Sequence, residues 1–174
     1  MDKPHQISLV TLLDLIRSQL EDLYDCECQL ESELEELVKG CDSRELASAI
    51  KHERHQVLGH KERLEDAFSR LGVSVRRAKC RGIEGILEWG KEVTQSTGEV
   101  VLRDAALVGI VQRIQHYKLA SYGISRTLAE HADLSDVSIL LQHTLNEIGK
   151  SDRNFTRIAE NDINLRAEDL KAAT

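Results

Sequence analysis

Apolar residues recur along the chain at alternating steps of three and four, which is the spacing of one face of an α-helix. The first stripe predicts a helix over residues 8–39, and the second predicts a helix over 43–72, where Asp42 to Glu45 has the form of an N-cap with a reaching Glu. The two stripes comprise Leu20, Leu23, Glu27, Leu30, Leu34 and Leu37, then Leu46, Ile50, Glu53, Val57, His60, Leu64, Phe68 and Leu71. Because only a short break around Gly40 separates the two helices, we predict an antiparallel hairpin.

The second half of the chain repeats this arrangement after a longer connection. Helical patterns cover residues 99–132 and 133–160, again separated by a tight turn. Between the hairpins, a shorter amphipathic helix is predicted over 81–97, with Ile83, Ile86, Leu87 and Val93 facing inward. Two hairpins joined by one long crossover are typical of an all-α, ferritin-like four-helix bundle. We predict a single domain over 1–174, with a frayed tail over 161–174.

Composition supports this fold and excludes several classes of partner. The chain has 174 residues, of which 41% are hydrophobic, and this is enough apolar material for one core. Its formal net charge of −7 argues against nucleic acid or an anionic membrane as the main partner, because both favour basic proteins. No signal pattern opens the chain, and the longest apolar run, residues 105–111, is too short to span a bilayer. We therefore predict a cytoplasmic protein.

The cysteines and one basic segment could each form a binding site, but a purely structural role is the preferred interpretation of both. The four cysteines (Cys26, Cys28, Cys41 and Cys80) lack C-x-x-C or zinc-finger spacing, so buried reduced thiols are expected. Cys26 and Cys28 lie on nearly opposite helix faces, which makes a shared metal or a bridge between them unfavourable. The basic run over 76–81 could meet an anion, but a solvated loop is the preferred interpretation.

Polar residues interrupt the apolar stripes near the middle of each long helix. Glu27 lies on the first stripe, Glu53 and His60 on the second with Gln56 beside them, Gln115 and Lys118 on the third helix, and Glu147 on the fourth. A polar group at an inward position is unfavourable by several kcal/mol unless something pairs with it. Since the bundle would bring these positions to about one level, we predict a buried polar layer.

Three interpretations of that layer remain open from the residues. The carboxylates could hold divalent cations, as in ferritin-like di-metal proteins. Alternatively, Lys118 could act as the internal counter-ion of Glu27 and Glu147, since an ammonium repels a neighbouring metal. The side chains could also lie at helix edges and extend to water.

Several segments, taken in order, carry a family resemblance. They are residues 23–30 (LYDCECQL), 59–64 (GHKERL), 79–85 (KCRGIEG), 103–107 (RDAAL), 116–117 (HY), 121–123 (SYG) and 142–147 (QHTLNE). Over residues 20–160 the chain resembles the YciE/YciF family of bacterial ferritin-like proteins. The resemblance implies a ferritin-like fold, a homodimer and a stress-related role.

The chain departs from that family at the expected metal positions. Where family members typically read Glu-His-Tyr-Glu, residues 115–118 read Gln-His-Tyr-Lys, which removes two carboxylates and adds a positive charge. The family's His-Leu-Glu-Glu run appears as Glu-Arg-His-Gln over 53–56, and the acidic run of the fourth helix survives as Glu147 alone. These departures disfavour a complete di-iron centre, and with it oxidase or peroxidase chemistry.

We therefore predict a non-enzymatic ferritin-like protein without a cofactor, in which Gln56, Gln115 and Lys118 form the polar core that replaces the metal. The alternative is a protein that holds one or two ions of iron or manganese through Glu27, Glu53, His60 and Glu147, with redox or storage activity. A third hypothesis is a surface that binds an unidentified protein partner near Trp89, although buried packing of that side chain is equally expected. The histidines His52 and His55 are expected to be solvated. No phosphate loop or nucleophile–base signature indicates a kinase or hydrolase.

Overall fold

A computed structural model describes residues 9–170, and the helices within that range follow the stripes of the sequence. They are α1 (Leu12–Gly40), α2 (Arg44–Arg70), α3 (Arg81–Thr94), α4 (Val100–His131) and α5 (Ser135–Ile158), followed by a π-helical turn (Ala159–Ile163) and α6 (Asn164–Asp169). No β-strand occurs in the described range. The all-α prediction is confirmed.

The helices pack as two hairpins joined by a long crossover, which confirms the predicted ferritin-like arrangement. α1 packs on α2, α4 packs on α5, and the hairpins meet along α1 with α4 and along α2 with α5. The crossover carries α3 across α1 and α4. Within residues 9–170, no helix is both long and apolar enough to cross a bilayer.

The apolar core is divided into two clusters, one towards each end of the bundle. One cluster contains Leu30, Leu34, Ile50 and Val111, and the other contains Leu20, Leu23, Leu64, Phe68 and Tyr122. On α1 and α4, the change from one cluster to the other falls at Glu27 and at Gln115–Lys118. The polar stripe positions therefore lie at the junction of the two apolar clusters.

The ends of the structure differ from the sequence prediction in two places. The first helix begins at Leu12 because Thr11 caps it: its side chain accepts the Asp14 N–H, and the Asp14 carboxylate accepts the Thr11 N–H. The predicted start at residue 8 lies outside the described residues. At the other end, the chain stays helical to Asp169, where a frayed tail was predicted from residue 161, because Ile163 is fully buried in the core.

A buried carboxylate joins the first hairpin to α4. Asp104 is fully buried and accepts the backbone N–H groups of Asp42, at 2.9 Å, and Ser43, at 2.7 Å. The neighbouring Arg103 donates to the carbonyl of Gly40 at 2.8 Å. These contacts satisfy backbone groups of the tight turn and fix the α1–α2 hairpin against the start of α4.

Candidate functional site

Three helices contribute the fully buried polar layer in the middle of the bundle. It contains Glu27 from α1, Glu53 and His60 from α2, and Gln115, Lys118 and Tyr122 from α4, all with 0% exposure. On α2 the two residues lie seven apart, and on α4 the spacings are three and four, so each set shares one helix face. The helical period therefore brings all six side chains to the junction between the apolar clusters.

The ammonium of Lys118 lies at the centre of this layer. Its Nζ atom is 3.0 Å from Oε1 of Glu53 and 3.2 Å from Oε1 of Glu27. A third contact, of 3.1 Å, joins Nζ to Nδ1 of His60. Since an ammonium can only donate, Nζ donates to Glu53, and its charge also pairs with Glu27. Lys118 is thus a buried cation in contact with two carboxylates and an imidazole nitrogen.

The two ring nitrogens of His60 face different groups. Nδ1 lies 3.1 Å from Nζ of Lys118 and 3.3 Å from Oε1 of Glu27. Nε2 lies 3.1 Å from Oε2 of Glu147 on α5, whose side chain is 36% exposed. Arg63 also pairs with Glu147 and donates to the hydroxyl of Thr144 at 2.8 Å. His60 therefore connects the buried layer to an ion pair at the surface.

The electrostatics of the layer stabilise charged carboxylates in an apolar core. Burial alone would raise the pKa of Glu27, but the charge of Lys118 and the hydrogen bonds of its neighbours lower that pKa to about 2. One of those bonds comes from the Tyr122 hydroxyl, at 2.9 Å. Burial opposes the charge of Glu53 too, and Lys118 again holds the pKa below its usual range. For Lys118, burial would lower the pKa, yet Glu27 and Glu53 together raise it.

The structure brings some of the predicted residues together and places others at the edge. Glu27, Glu53, His60 and Lys118 meet directly, whereas Glu147 lies at the margin because the inward position on α5 is Ile148. Gln56 is half-buried and accepts the Ser151 hydroxyl at 3.0 Å. Gln115 is fully buried, and neither polar atom of its amide has a hydrogen-bond partner in the described part of the chain.

The polar layer predicted from the sequence did not include two members of this network. The hydroxyl of Tyr122 donates to Oε1 of Glu27, and Arg63 neutralises Glu147. Tyr122 lies four residues after Lys118 on the same stripe, which was a usable signal for the tyrosine. Arg63 carried no comparable signal, because it lies beside the α2 stripe and reaches its partner only through the packing of α2 on α5.

The residues present do not fit a divalent cation between Glu27 and Glu53. The Lys118 ammonium already contacts one oxygen of each carboxylate, and a dication in that space would face its positive charge. Nδ1 of His60 also points at the ammonium. Within residues 9–170, no group of three or more histidine, cysteine, aspartate or glutamate side chains has an arrangement that could hold a metal ion.

Outside the layer, the other candidate residues have simple surroundings. His52 and His55 are exposed. In the basic run, Arg77 pairs with Asp25 on α1 at 2.9 Å. The ring of Trp89 is 40% exposed and lies 4.6 Å from the guanidinium of Arg113, so the side chain packs on its own bundle through a cation–π contact.

Comparisons with known proteins agree with this fold. A family model described as a domain of unknown function (DUF892) matches residues 11–168. The chain is 33% identical over 163 residues to Protein YciF of Escherichia coli strain K12, covering 93% of this chain and 98% of that protein.

Two solved structures are similar over nearly their whole length. The crystal structure of the E. coli stress protein YciF gives a TM-score of 0.86 at 32% identity, covering 90% of this chain and 99% of that one. YcfI from Rhodopseudomonas palustris, described as a candidate structural protein, gives a TM-score of 0.83 at 25% identity. That match covers 89% of this chain and 98% of YcfI.

Proposed function

The chain belongs to the YciE/YciF family and carries the domain of unknown function DUF892, and from that premise we propose that it is a non-enzymatic structural protein of the stress response. In this proposal a salt-bridge layer centred on Lys118 replaces the metal centre of ferritin-like di-metal proteins. The relatives support the setting: E. coli YciF is described as a stress protein and YcfI as a candidate structural protein.

The position of the Lys118 ammonium carries the proposal. Its Nζ atom lies within 3.2 Å of Glu53, Glu27 and His60, so the cation that balances the buried carboxylates belongs to the chain itself. Such a layer requires good geometry to offset the desolvation of its charges, and its best-attested role is to specify one packing arrangement. We infer that the layer sets the register of α1, α2 and α4.

Metal analysis tests this proposal directly. Protein purified after growth with added iron or manganese should carry far less than one equivalent of either ion, or of zinc, per chain. Elemental analysis by inductively coupled plasma mass spectrometry measures this. Near one equivalent per chain that is lost in Glu27→Ala would overturn the proposal, because the metal would then depend on the layer.

A gain of binding gives a second, independent test. Replacing Gln115 and Lys118 together by Glu restores two carboxylates on one face of α4 and removes the internal cation. This double variant should bind Mn²⁺ in isothermal titration calorimetry, whereas the unmodified protein should not. The matched control is Lys118→Gln, which removes the cation without adding acids. Equal Mn²⁺ binding by the unmodified protein and the double variant would contradict the role of Lys118.

A residual metal site is the second candidate function. It is favoured by one observation: the Oε2 atoms of Glu27 and Glu53 are buried and have no hydrogen-bond partner among the described residues. An ion that displaced the Lys118 ammonium would also use His60 and Glu147, and iron or manganese would suit these ligands. Anomalous diffraction from crystals soaked in Mn²⁺ distinguishes the two candidates, because only this one predicts a peak beside Glu27.

The homodimer that the family resemblance implies remains a prediction. Light scattering of the purified protein during size-exclusion chromatography would test it. A mass of one chain would contradict it.

A further inference from the structure

Two cysteine thiols meet away from the polar layer, where the crossover reaches α1. Cys26 lies on α1, and Cys80 is the residue that precedes α3. Both are fully buried in the same apolar cluster. Each thiol is close enough to shift the pKa of the other, although the residues are far apart in the sequence.

The backbone around Cys80 is fixed to the same turn of α1. Its N–H donates to the carboxylate of Asp25 at 2.8 Å, and its carbonyl accepts from the side chain of Gln29 at 3.2 Å. Two residues before Cys80, the N–H of Ala78 donates to the carbonyl of Glu21 at 3.2 Å. These bonds fix the backbone of Cys80 against the part of α1 that carries Cys26.

A tyrosine and a carboxylate complete the surroundings of Cys80. Its sulfur lies 3.0 Å from the hydroxyl of Tyr117 and 3.4 Å from Oδ2 of Asp22, and the hydroxyl donates to that same oxygen at 3.1 Å. Asp22 is therefore placed to accept the thiol proton. At the start of α3 the Ile83 N–H also donates to the sulfur, an environment that favours a thiolate.

These contacts shift the pKa values of the two thiols in opposite directions. The Cys26 hydrogen bond lowers the pKa of Cys80, with further help from Tyr117 and Ile83, although burial and Asp22 oppose it. For Cys26, the same contact and full burial raise the pKa. Cys80 is thus the better nucleophile of the pair, and Cys26 lies ready as its partner.

We propose that Cys26 and Cys80 form a redox-active dithiol that reduces one hydrogen peroxide per chain and closes to an intrachain disulfide. The site is distinct from the polar layer and does not require the proposed structural function. In its oxidised form it would join the crossover covalently to α1. Lys79 and Arg81, the residues on either side of Cys80, are exposed.

The reaction balances with peroxide as the oxidant. The Cys80 thiol passes its proton to Asp22, and the thiolate sulfur attacks one peroxide oxygen, so that the S–O bond forms and the O–O bond breaks. The leaving hydroxide takes up the proton as the first water. The Cys26 sulfur then attacks the sulfenic acid, the S–S bond forms, and the S–O bond breaks. The hydroxyl leaves with the Cys26 proton as the second water.

The remaining cysteines supply the internal controls. Cys28 is half-buried on the other side of α1, and burial raises its pKa. Cys41 donates to the carbonyl of Leu37 at 3.3 Å, and burial raises its pKa to about 12. Neither has a neighbouring thiol with which it pairs in the described structure. The Cys28→Ser/Cys41→Ser protein therefore keeps only the proposed pair.

The test treats this double variant, reduced and without air, with one equivalent of hydrogen peroxide. Two free thiols should be lost under denaturing conditions, the intact mass should fall by two hydrogens, and peptide mapping should find Cys26 joined to Cys80. In Cys26→Ser the sulfenic acid of Cys80 should persist and react with dimedone. Tyr117→Phe keeps the ring but should slow disulfide formation and shift its pH profile.

Several results would overturn the proposal. One is a double variant that keeps both thiols under conditions that oxidise a small-molecule thiol. Another is oxygen addition to Cys80 while Cys26 stays reduced. A third is disulfide formation only between chains, seen as a band of doubled mass without reductant. If Cys26→Ser does not fold, as judged by circular dichroism, mapping of the unmodified protein still decides between these outcomes.

Discussion

The Nζ atom of Lys118 lies 3.0 Å from Oε1 of Glu53, and neither side chain has any exposed surface. A charge this deeply buried is tolerable only while its partner remains, because removing one member leaves the other desolvated and unpaired. Here the ammonium also forms an ion pair with Glu27. The stability of the bundle should therefore depend on Lys118 more than on any surface cation.

Replacing Lys118 by Met should lower the free energy of unfolding by roughly 3–5 kcal/mol, because two buried carboxylates would then face each other without a cation. Urea denaturation followed by circular dichroism measures the change. Lys61→Met is the matched control: Lys61 pairs with Glu31 nearer the surface, so its loss should change stability by about 0–1 kcal/mol. Adding Glu27→Gln and Glu53→Gln to Lys118→Met should recover most of the loss. Similar effects for the two lysine variants would contradict a paired core cation.

The pKa of Glu27 predicts a specific acid sensitivity. Because its folded value of about 2 lies below the ordinary 4.5, the group stabilises the protein above pH 4.5. That contribution should be lost as the pH falls towards 2, and it amounts to roughly 3 kcal/mol. The difference in unfolding free energy between the unmodified protein and Glu27→Gln should thus be largest near pH 7 and shrink below pH 5. Urea titrations from pH 7 to pH 2 measure it.

The control for this pH experiment is Glu36→Gln, because Glu36 forms an exposed pair with Lys39. Its effect should stay within about 1 kcal/mol at every pH. If the Glu27→Gln difference were as flat as that of Glu36→Gln, the carboxylate would not be held ionised by its buried neighbours.

A glycine at the start of α3 makes room for the Tyr117 ring. A Cβ atom at Gly82 would lie 2.5 Å from Cε2 of Tyr117 and 3.1 Å from its hydroxyl, so the ring must move and release its bonds to Cys80 and Asp22. Gly82→Ala should therefore be less stable than Gly85→Ala by about 1–2 kcal/mol. Gly85 has nothing within 4 Å of its Cβ direction, so alanine there should gain up to about 1 kcal/mol of helix propensity.

Thermal unfolding of the two alanine variants measures this difference. Gly85→Ala should raise the melting temperature, and Gly82→Ala should not. Equal increases would mean that the Tyr117 ring has another place to pack, and its role beside Cys80 would lose its support.

Much of the fold and part of the site could be predicted from the chain. The first stripe, from Leu20 to Leu37, is buried at every predicted position, Glu27 included. Such a prediction works because the 3.6-residue period of a helix is a local property that needs no knowledge of partners. On α5 the prediction was wrong by one residue: it placed Glu147 on the inward face, whereas Ile148 is the buried residue. Both positions lie between the buried Thr144 and Ser151, and only the rotation of α5 against α2 decides which one faces inward.

The sequence by itself determined the helices, the two hairpins, the long crossover and the presence of charges inside the core, because periodicity, breakers and caps act over a few residues. Only the tertiary structure decided the partners: the hydroxyl of Tyr122 on Glu27, His60 between Lys118 and Glu147, and Cys26 against Cys80. Each of these contacts joins different helices or a helix to the crossover. Their geometry depends on how the helices are rotated and shifted against one another, which the packing of the whole core determines.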